Sequence, residues 1–363
     1  MSGKKIIQVA AGAGHSLALD SDGQVYAWGY NDKGQLGNGV NVSSNVPIKI
    51  SGELAGKNIV QIVAAYTYSL ALNSDGQIYA WGANPYGQLG NNSNTNSNIP
   101  IMVDTSGVLA GRHIVQIVSK DSHSLALDSG GHIYSWGNNF FGRLGNGSTG
   151  GSRNTPIEVN SYGVLAGKQI VQIAANGQSL ALDSDGRAYS WGYNISGQLG
   201  NGTEINSNIP VAVNNSGVLD GQKIIQISAG SHSIALSATN QVYAWGDNNY
   251  GQLGNGSNEN SNIPVQTTFH DLLEVGVVSV KFDNIDALNF EIIDSKTIKA
   301  ISPAHMAGKS DVTILNSEGK NWRAEQSYEY ILEDNNDNTE NSDLSEDIMA
   351  PNTGYGHIFI KLY

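Results

Sequence analysis

The chain has 363 residues, a formal net charge of -13, 44 glycines and only 14% charged residues. Its acidic balance argues against nucleic acid as the main partner, since phosphate binding needs a basic face, and its lack of cysteine excludes disulfides and thiolate metal sites. No run reaches the roughly 18 apolar residues of a membrane span, and the many turn formers favour an all-β chain of two or three domains.

At the N-terminus, Met1-Ser2-Gly3-Lys4-Lys5-Ile6 leads straight into a strand pattern. Gln8 and Gly12 interrupt any apolar core, so no signal peptide is expected. The first strand, Ile6-Ile7-Gln8-Val9-Ala10-Ala11, is short, apolar and β-branched, and it returns at Ile59, Ile114, Ile170 and Ile224. That composition predicts an inner strand covered on both faces. Ser16-Leu17-Ala18-Leu19 is a second strand. Asp20-Ser21-Asp22-Gly23 follows as a hairpin turn whose glycine supplies the positive φ. Val25-Tyr26-Ala27-Trp28 is the third strand. A Gly- and Asn-rich loop then leads to an outer strand containing Ile-Pro-Val, as at Ile209-Pro210-Val211, and proline suits a sheet edge. Trp28, Trp81, Trp136, Trp191 and Trp245 mark the period, at spacings of 53, 55, 55 and 54. Four antiparallel strands repeated five times predict an all-β propeller of five blades over residues 1–268. The blades fall near 6–52, 59–106, 114–161, 170–215 and 224–268.

The repeated line Ile-Val-Gln-Ile-Ala-Ala-Gly-x-x-His-Ser-Leu-Ala-Leu, followed by Asp-Gly-x-Val-Tyr-Ala-Trp-Gly-x-Asn-x-x-Gly-Gln-Leu-Gly-Asn, resembles the regulator of chromosome condensation repeat. The resemblance covers about residues 6 to 265. It implies a β-propeller, usually of seven blades, and five repeats are present here. Closure at five blades and membership of a larger ring both stay open.

After Val265 the period stops. Strict alternation in Thr297–Ile301 and Asp311–Leu315 predicts a small sandwich over residues 269–332. This segment is similar to the second part of an immunoglobulin-like transcription-factor/plexin (TIG) domain, without that family's opening strands. Trp322 is expected in one of its turns. Residues 333–363 read as an acidic, disordered tail. Within it, Ala350-Pro351-Asn352-Thr353-Gly354 resembles a Leu-Pro-x-Thr-Gly wall-anchoring signal, with alanine for leucine and too short an apolar tail.

No catalytic, cofactor or metal site is expected. His15, His123 and His232 occupy one repeat position that is Tyr68 and Gln178 elsewhere. Those replacements keep hydrogen bonding but not metal affinity, so each is read as bonding a neighbouring backbone. Neighbouring His and Ser residues on a strand point to opposite faces and cannot form a nucleophile–base pair. The Asp-x-Asp-Gly turns lack the later ligands of a calcium loop. The five repeat tryptophans are read as packing between blades. Partner contacts are expected on the loop after each tryptophan, at Tyr30, Asn31, Lys33, Asn84, Tyr86, Phe140, Phe141, Tyr193, Asn194, Ile195, Asn249 and Tyr250.

The expected function is a non-enzymatic module binding a protein or a surface glycan, at a bacterial cell surface. The resemblance implies a second function, guanine-nucleotide exchange on a small GTPase of the Ran type, in the cytoplasm; repeats of similar length with no inserted hairpin weigh against it. A plug for an enzyme's active site is a third alternative.

Overall fold

Each repeat folds as one four-stranded antiparallel sheet in which every strand pairs with the next along the chain. The computed structural model describes residues 3–268, 277–294, 297–303, 308–317, 321–330 and 357–361. The first blade comprises β1 (Ile6–Ala11), β2 (His15–Asp20), β3 (Val25–Gly29) and β4 (Ser44–Lys49). The second comprises β5 (Ile59–Ala64), β6 (Tyr68–Asn73), β7 (Ile78–Gly82) and β8 (Ser97–Met102). The third comprises β9 (Ile114–Ser119), β10 (His123–Asp128), β11 (Ile133–Gly137) and β12 (Arg153–Glu158). The fourth comprises β13 (Ile170–Ala175), β14 (Gln178–Asp183), β15 (Ala188–Gly192) and β16 (Ser207–Ala212). The fifth comprises β17 (Ile224–Ala229), β18 (His232–Ser237), β19 (Val242–Gly246) and β20 (Ser261–Gln266). Within every sheet the strands lie in chain order.

The turn chemistry is local. Asp20 Oδ1 accepts the N–H groups of Asp22 and Gln24, Tyr26 donates to Oδ2 at 3.1 Å, and Gly23 sits at φ 78°. In the fifth blade Asn240 takes the glycine position at φ 61°, one of the few residues that tolerate it. These carboxylates are committed to turns, and among the described residues no cluster of His, Asp or Glu could hold a metal. Pro47, Pro100, Pro156, Pro210 and Pro264 all lie on the last strand of a blade, a sheet edge.

The first strand departs from expectation at one residue. Its second residue, Ile7, Val60, Val115, Val171 or Ile225, is 48–54% exposed. Each of these residues is the extra one of a β-bulge against the second strand and turns out of the ladder, while the rest of the strand is covered on both faces, Ile62 in the core shared with the first blade and Val63 against the core shared with the third.

The apolar core is divided between blades rather than shared by all. Leu17, Leu19, Val25 and Leu36 of the first blade close over Ile59, Ile62, Tyr79 and Trp81 of the second. The same positions close over the next blade at the second-to-third, third-to-fourth and fourth-to-fifth boundaries. A blade alone has an open apolar face and is completed only by its neighbour.

A second unit runs from Phe269 to Tyr363. One of its sheets has the order β22 (Ile285–Asp286), β21 (Val277–Phe282), β25 (Gly308–Asn316), β26 (Asn321–Tyr330). The other has β23 (Asn289–Asp294), β24 (Thr297–Ile301), β27 (His357–Lys361). Val277, Val280, Phe282, Ile298, Ala300, Val312 and Ile314 form its core. Two expectations are corrected here. Trp322 lies on β26 opposite Ile314, not in a turn. The tail is not without structure to its end, since His357–Lys361 pairs antiparallel with β24, Ile298 facing Ile360. The acidic run and the Pro-Asn-Thr-Gly motif lie outside the described residues.

Candidate functional site

The loop after each tryptophan is built around one buried asparagine. Asn84 Nδ2 donates to the carbonyls of Ser93 at 2.8 Å and Thr95 at 3.1 Å, while its Oδ1 accepts the N–H of Leu89 at 2.9 Å. Asn31, Asn139, Asn194 and Asn248 repeat this clamp on residues nine and eleven positions onward. All five are fully buried. Asn31, Asn84 and Asn194 therefore hold their loops in shape and offer nothing to a partner. The expected Asn249 is exposed, one residue past the clamp, and it bonds Asp247.

The loop also reaches the next blade. The Gln35 carbonyl accepts the Trp81 indole N–H at 2.9 Å and the Ser69 hydroxyl at 2.9 Å. Gln88 does the same for Trp136 and Ser124, Arg143 for Trp191 and Ser179, and Gln198 for Trp245 and Ser233. The serine closes the latch with the preceding blade: His15 Nε2 lies 2.9 Å from Ser69 Oγ, and His123 Nε2 lies 2.9 Å from Ser179 Oγ. Tyr68 and Gln178 make the corresponding bonds to Ser124 and Ser233. His15 and His123 thus bond a serine of the next blade, not the backbone expected.

Each of these serines donates to a carbonyl, so the histidine Nε2 must donate to the serine. It cannot act as that serine's base. Burial holds His15 neutral, pushing its pKa down to about 4, and holds His123 well below the ordinary histidine range. Among the described residues their Nδ1 atoms have no hydrogen-bond partner. Burial likewise pushes the Tyr68 hydroxyl up. A closed, neutral His–Ser pair with no access for a substrate is a structural lock.

What the loops expose is largely aromatic. Tyr30, Phe140, Phe141, Ile195 and Tyr250 are exposed, Tyr250 at 92%. Tyr86 and Tyr193 are half-buried. Tyr86 meets Phe140 edge-on with ring centroids 6.0 Å apart, and Phe141 meets Tyr193 at 5.0 Å, so the rings bridge the second, third and fourth blades. The Arg143 guanidinium lies 5.9 Å from the Phe141 ring and bonds Asp121 at 2.6 Å. Phe141 holds φ at 63°, a left-handed backbone that costs a bulky residue about 1–2 kcal/mol. Lys33 is spent on an exposed pair with Asp32 at 3.0 Å. The clamp and the latch were missed from sequence; their signal was the invariant spacing of Asn, Ser and Trp across the repeats.

A family profile described as RCC1-like domain matches residues 1–290. The human E3 ubiquitin-protein ligase HERC2 is 37% identical over 257 residues, 70% of this chain and 5% of that protein. The Arabidopsis thaliana ultraviolet-B receptor UVR8 is 34% identical over 266 residues, 73% of this chain and 58% of that one. The chain thus spans less than two thirds of these relatives. Among solved structures, Saccharomyces cerevisiae Prp20p superposes with a TM-score of 0.62 at 26% identity, covering 77% of this chain and 66% of that one.

Proposed function

Because the chain belongs to the RCC1-like domain family, we propose that its propeller is a non-catalytic module that docks a protein partner on the aromatic loops following its tryptophans. One observation carries this reading. Phe141 is kept exposed in a strained backbone, between Tyr193 and Arg143, at the middle of a ladder of rings. Strain of that kind persists where something other than stability selects it. Exposed aromatics on rigid loops are the usual anchors of an interface.

The second reading is regulation of a small GTPase by nucleotide exchange. It is favoured by the likeness to Prp20p, a protein described with binding properties to Gsp1p and histones. The relatives support this reading better than a wall-anchored surface protein or a glycan binder, and they give no support to a bacterial setting.

The test titrates the full chain against GDP-loaded small GTPases, reading binding and labelled-GDP release together. Binding that is lost in Phe140→Ala/Tyr250→Ala, with folding intact, supports docking on this face. Binding that ignores both substitutions moves the partner elsewhere. Accelerated release selects the exchange reading; binding with unchanged release leaves the docking module and removes the exchange.

A further inference from the structure

Five Asn-Gly pairs punctuate the propeller, beginning at Asn38, Asn146, Asn176, Asn201 and Asn255. An asparagine before glycine is open to loss of its amide, because the glycine nitrogen, unscreened by any Cβ, reaches the asparagine Cγ. Two restraints oppose this: a hydrogen bond on the glycine N–H and one on the asparagine side chain. Gly39, Gly147 and Gly202 donate their N–H groups to the carbonyls of Asn98, Asn208 and Asn262 in the next blade, each at 2.8 Å. The Oδ1 atoms of Asn38, Asn146 and Asn201 accept the N–H groups of Val40, Ser148 and Thr203. Those three pairs are therefore held at both ends. Asn255 keeps the side-chain hold, accepting the Ser257 N–H at 3.2 Å.

Asn176-Gly177 has neither restraint. These two residues alone join β13 to β14, between Ala175 and Gln178. Both are half-buried, so water reaches them. Among the described residues neither the Asn176 amide nor the Gly177 N–H has a hydrogen-bond partner. The bend is also loosely tied. The Gly177 carbonyl accepts the Tyr193 N–H at 3.4 Å, whereas the matching bonds of the first three blades, Tyr30 to Gly14, Ala83 to Thr67 and Asn138 to Ser122, measure 2.7, 3.0 and 2.9 Å. The residue that follows is part of the latch. Gln178 Nε2 donates to the Gly230 carbonyl at 3.2 Å and to Ser233 Oγ at 3.0 Å, across the boundary between the fourth and fifth blades.

We propose that Asn176 is a site of spontaneous deamidation, and that its product unlatches the fourth blade from the fifth. The Gly177 nitrogen gives its proton to hydroxide and attacks Asn176 Cγ. An N–Cγ bond forms, the bond from Cγ to the amide nitrogen breaks, and that nitrogen leaves as ammonia after taking a proton from water, which restores the hydroxide. Water then opens the five-membered imide. Opening at Cγ gives aspartate. Opening at the main-chain carbonyl gives isoaspartate, whose backbone runs through the former side chain and is one methylene longer. Either product puts a negative charge at the bend. The longer one also displaces Gln178, two residues on, from Gly230 and Ser233.

The test ages the full chain at mildly alkaline pH and follows each Asn-Gly pair by peptide mapping with mass spectrometry. Releasing one hydrogen bond before the attack slows a reaction by up to about tenfold, so Asn176 is expected to convert at least about tenfold faster than the doubly held Asn38, Asn146 and Asn201. In urea, where no fold protects any pair, the rates should converge. An Asn176 that converts no faster than Asn38 in the folded chain overturns the proposal. Gly177→Ala is the blocking variant. A Cβ there would lie 3.6 Å from Tyr193 Cβ, an ordinary contact, so the fold is kept and Asn176 should stay intact. Asn176→Ser blocks the same reaction should circular dichroism show that Gly177→Ala disturbs the bend. Conversion undiminished in a folded Gly177→Ala chain overturns the assigned nucleophile. Aged wild-type protein should melt below fresh protein, and the aged blocking variant should not. Equal melting of fresh and fully converted wild type overturns the unlatching.

Discussion

The indole N–H of Trp136 donates to the backbone carbonyl of Gln88 at 2.9 Å, across the boundary between the second and third blades. Ser124, one strand over from Trp136, aims its hydroxyl at the same oxygen at 3.4 Å. Trp136→Phe keeps most of the buried ring but removes the stronger donor. It is expected to cost about 1–3 kcal/mol, the penalty of a lost buried hydrogen bond. Trp136→Ala should cost about 3–5 kcal/mol, because a cavity is added. Urea unfolding of both variants checks the difference; an unchanged midpoint in Trp136→Phe would mean that the hydrogen bond contributes nothing, and equal losses would mean that the cavity adds nothing.

Gly90 is the floor on which that indole rests. It holds φ at 66°, and a Cβ there would lie 2.8 Å from Trp136 Nε1. Gly90→Ala combines a left-handed backbone with overpacking, for a loss of roughly 2–4 kcal/mol. Gly52→Ala shares the positive φ but meets nothing within 4 Å, so it isolates the backbone part, about 1–2 kcal/mol. Thermal melts that rank the two in reverse would refute this assignment.

The loop residues divide by burial. Asn84→Ala leaves two carbonyls and one N–H without a partner and is expected to destabilise by about 3 kcal/mol or more. Tyr250→Ala removes a side chain that is 92% exposed and should change stability by less than about 0.5 kcal/mol. Phe141→Gly releases the strained φ of 63°. It should leave stability unchanged or raise it slightly while weakening partner binding at least about tenfold, a loss of roughly 1.4 kcal/mol. Unfolding midpoints and titrations on the same samples separate the two effects.

Acid should loosen the blades. His15 is neutral in the folded state down to about pH 4, but in the unfolded chain it takes a proton below about pH 6.5. Between these values the unfolded state binds more protons, so stability is full above about pH 6.5 and falls on acidification. The loss reaches about 3 kcal/mol for this residue by about pH 4 and then stops growing. His123 and His232 act in the same direction, since burial lowers both. His15→Gln, which installs the amide found at Gln178, should flatten part of the slope. An identical pH dependence in that variant would rule out His15 as a source.

Much of this was legible in the residues. The tryptophan spacing, the Asp-x-Asp-Gly turns and the edge prolines report interactions that are local or purely periodic, and these the sequence states directly. The latch was not legible, because His15 and Ser69 meet across 54 residues, and nothing near either names the other. Asn84 was misread for a different reason. An asparagine in a polar loop looks solvated until the carbonyls of Ser93 and Thr95 are seen to turn inward onto it. The strand His357–Lys361 was missed because it follows an acidic run, and composition averaged over the run hides five residues that pair.

The division of the core between neighbouring blades gives the chain a direction of assembly. Leu17 and Leu19 are covered only when Ile62 and Trp81 arrive, so on the ribosome each blade emerges with one greasy side bare and waits for the next. Folding force measured on stalled chains should therefore rise in steps about one repeat apart, each step lagging its own blade by most of a repeat. Through most of synthesis the newest blade is the one a chaperone would find.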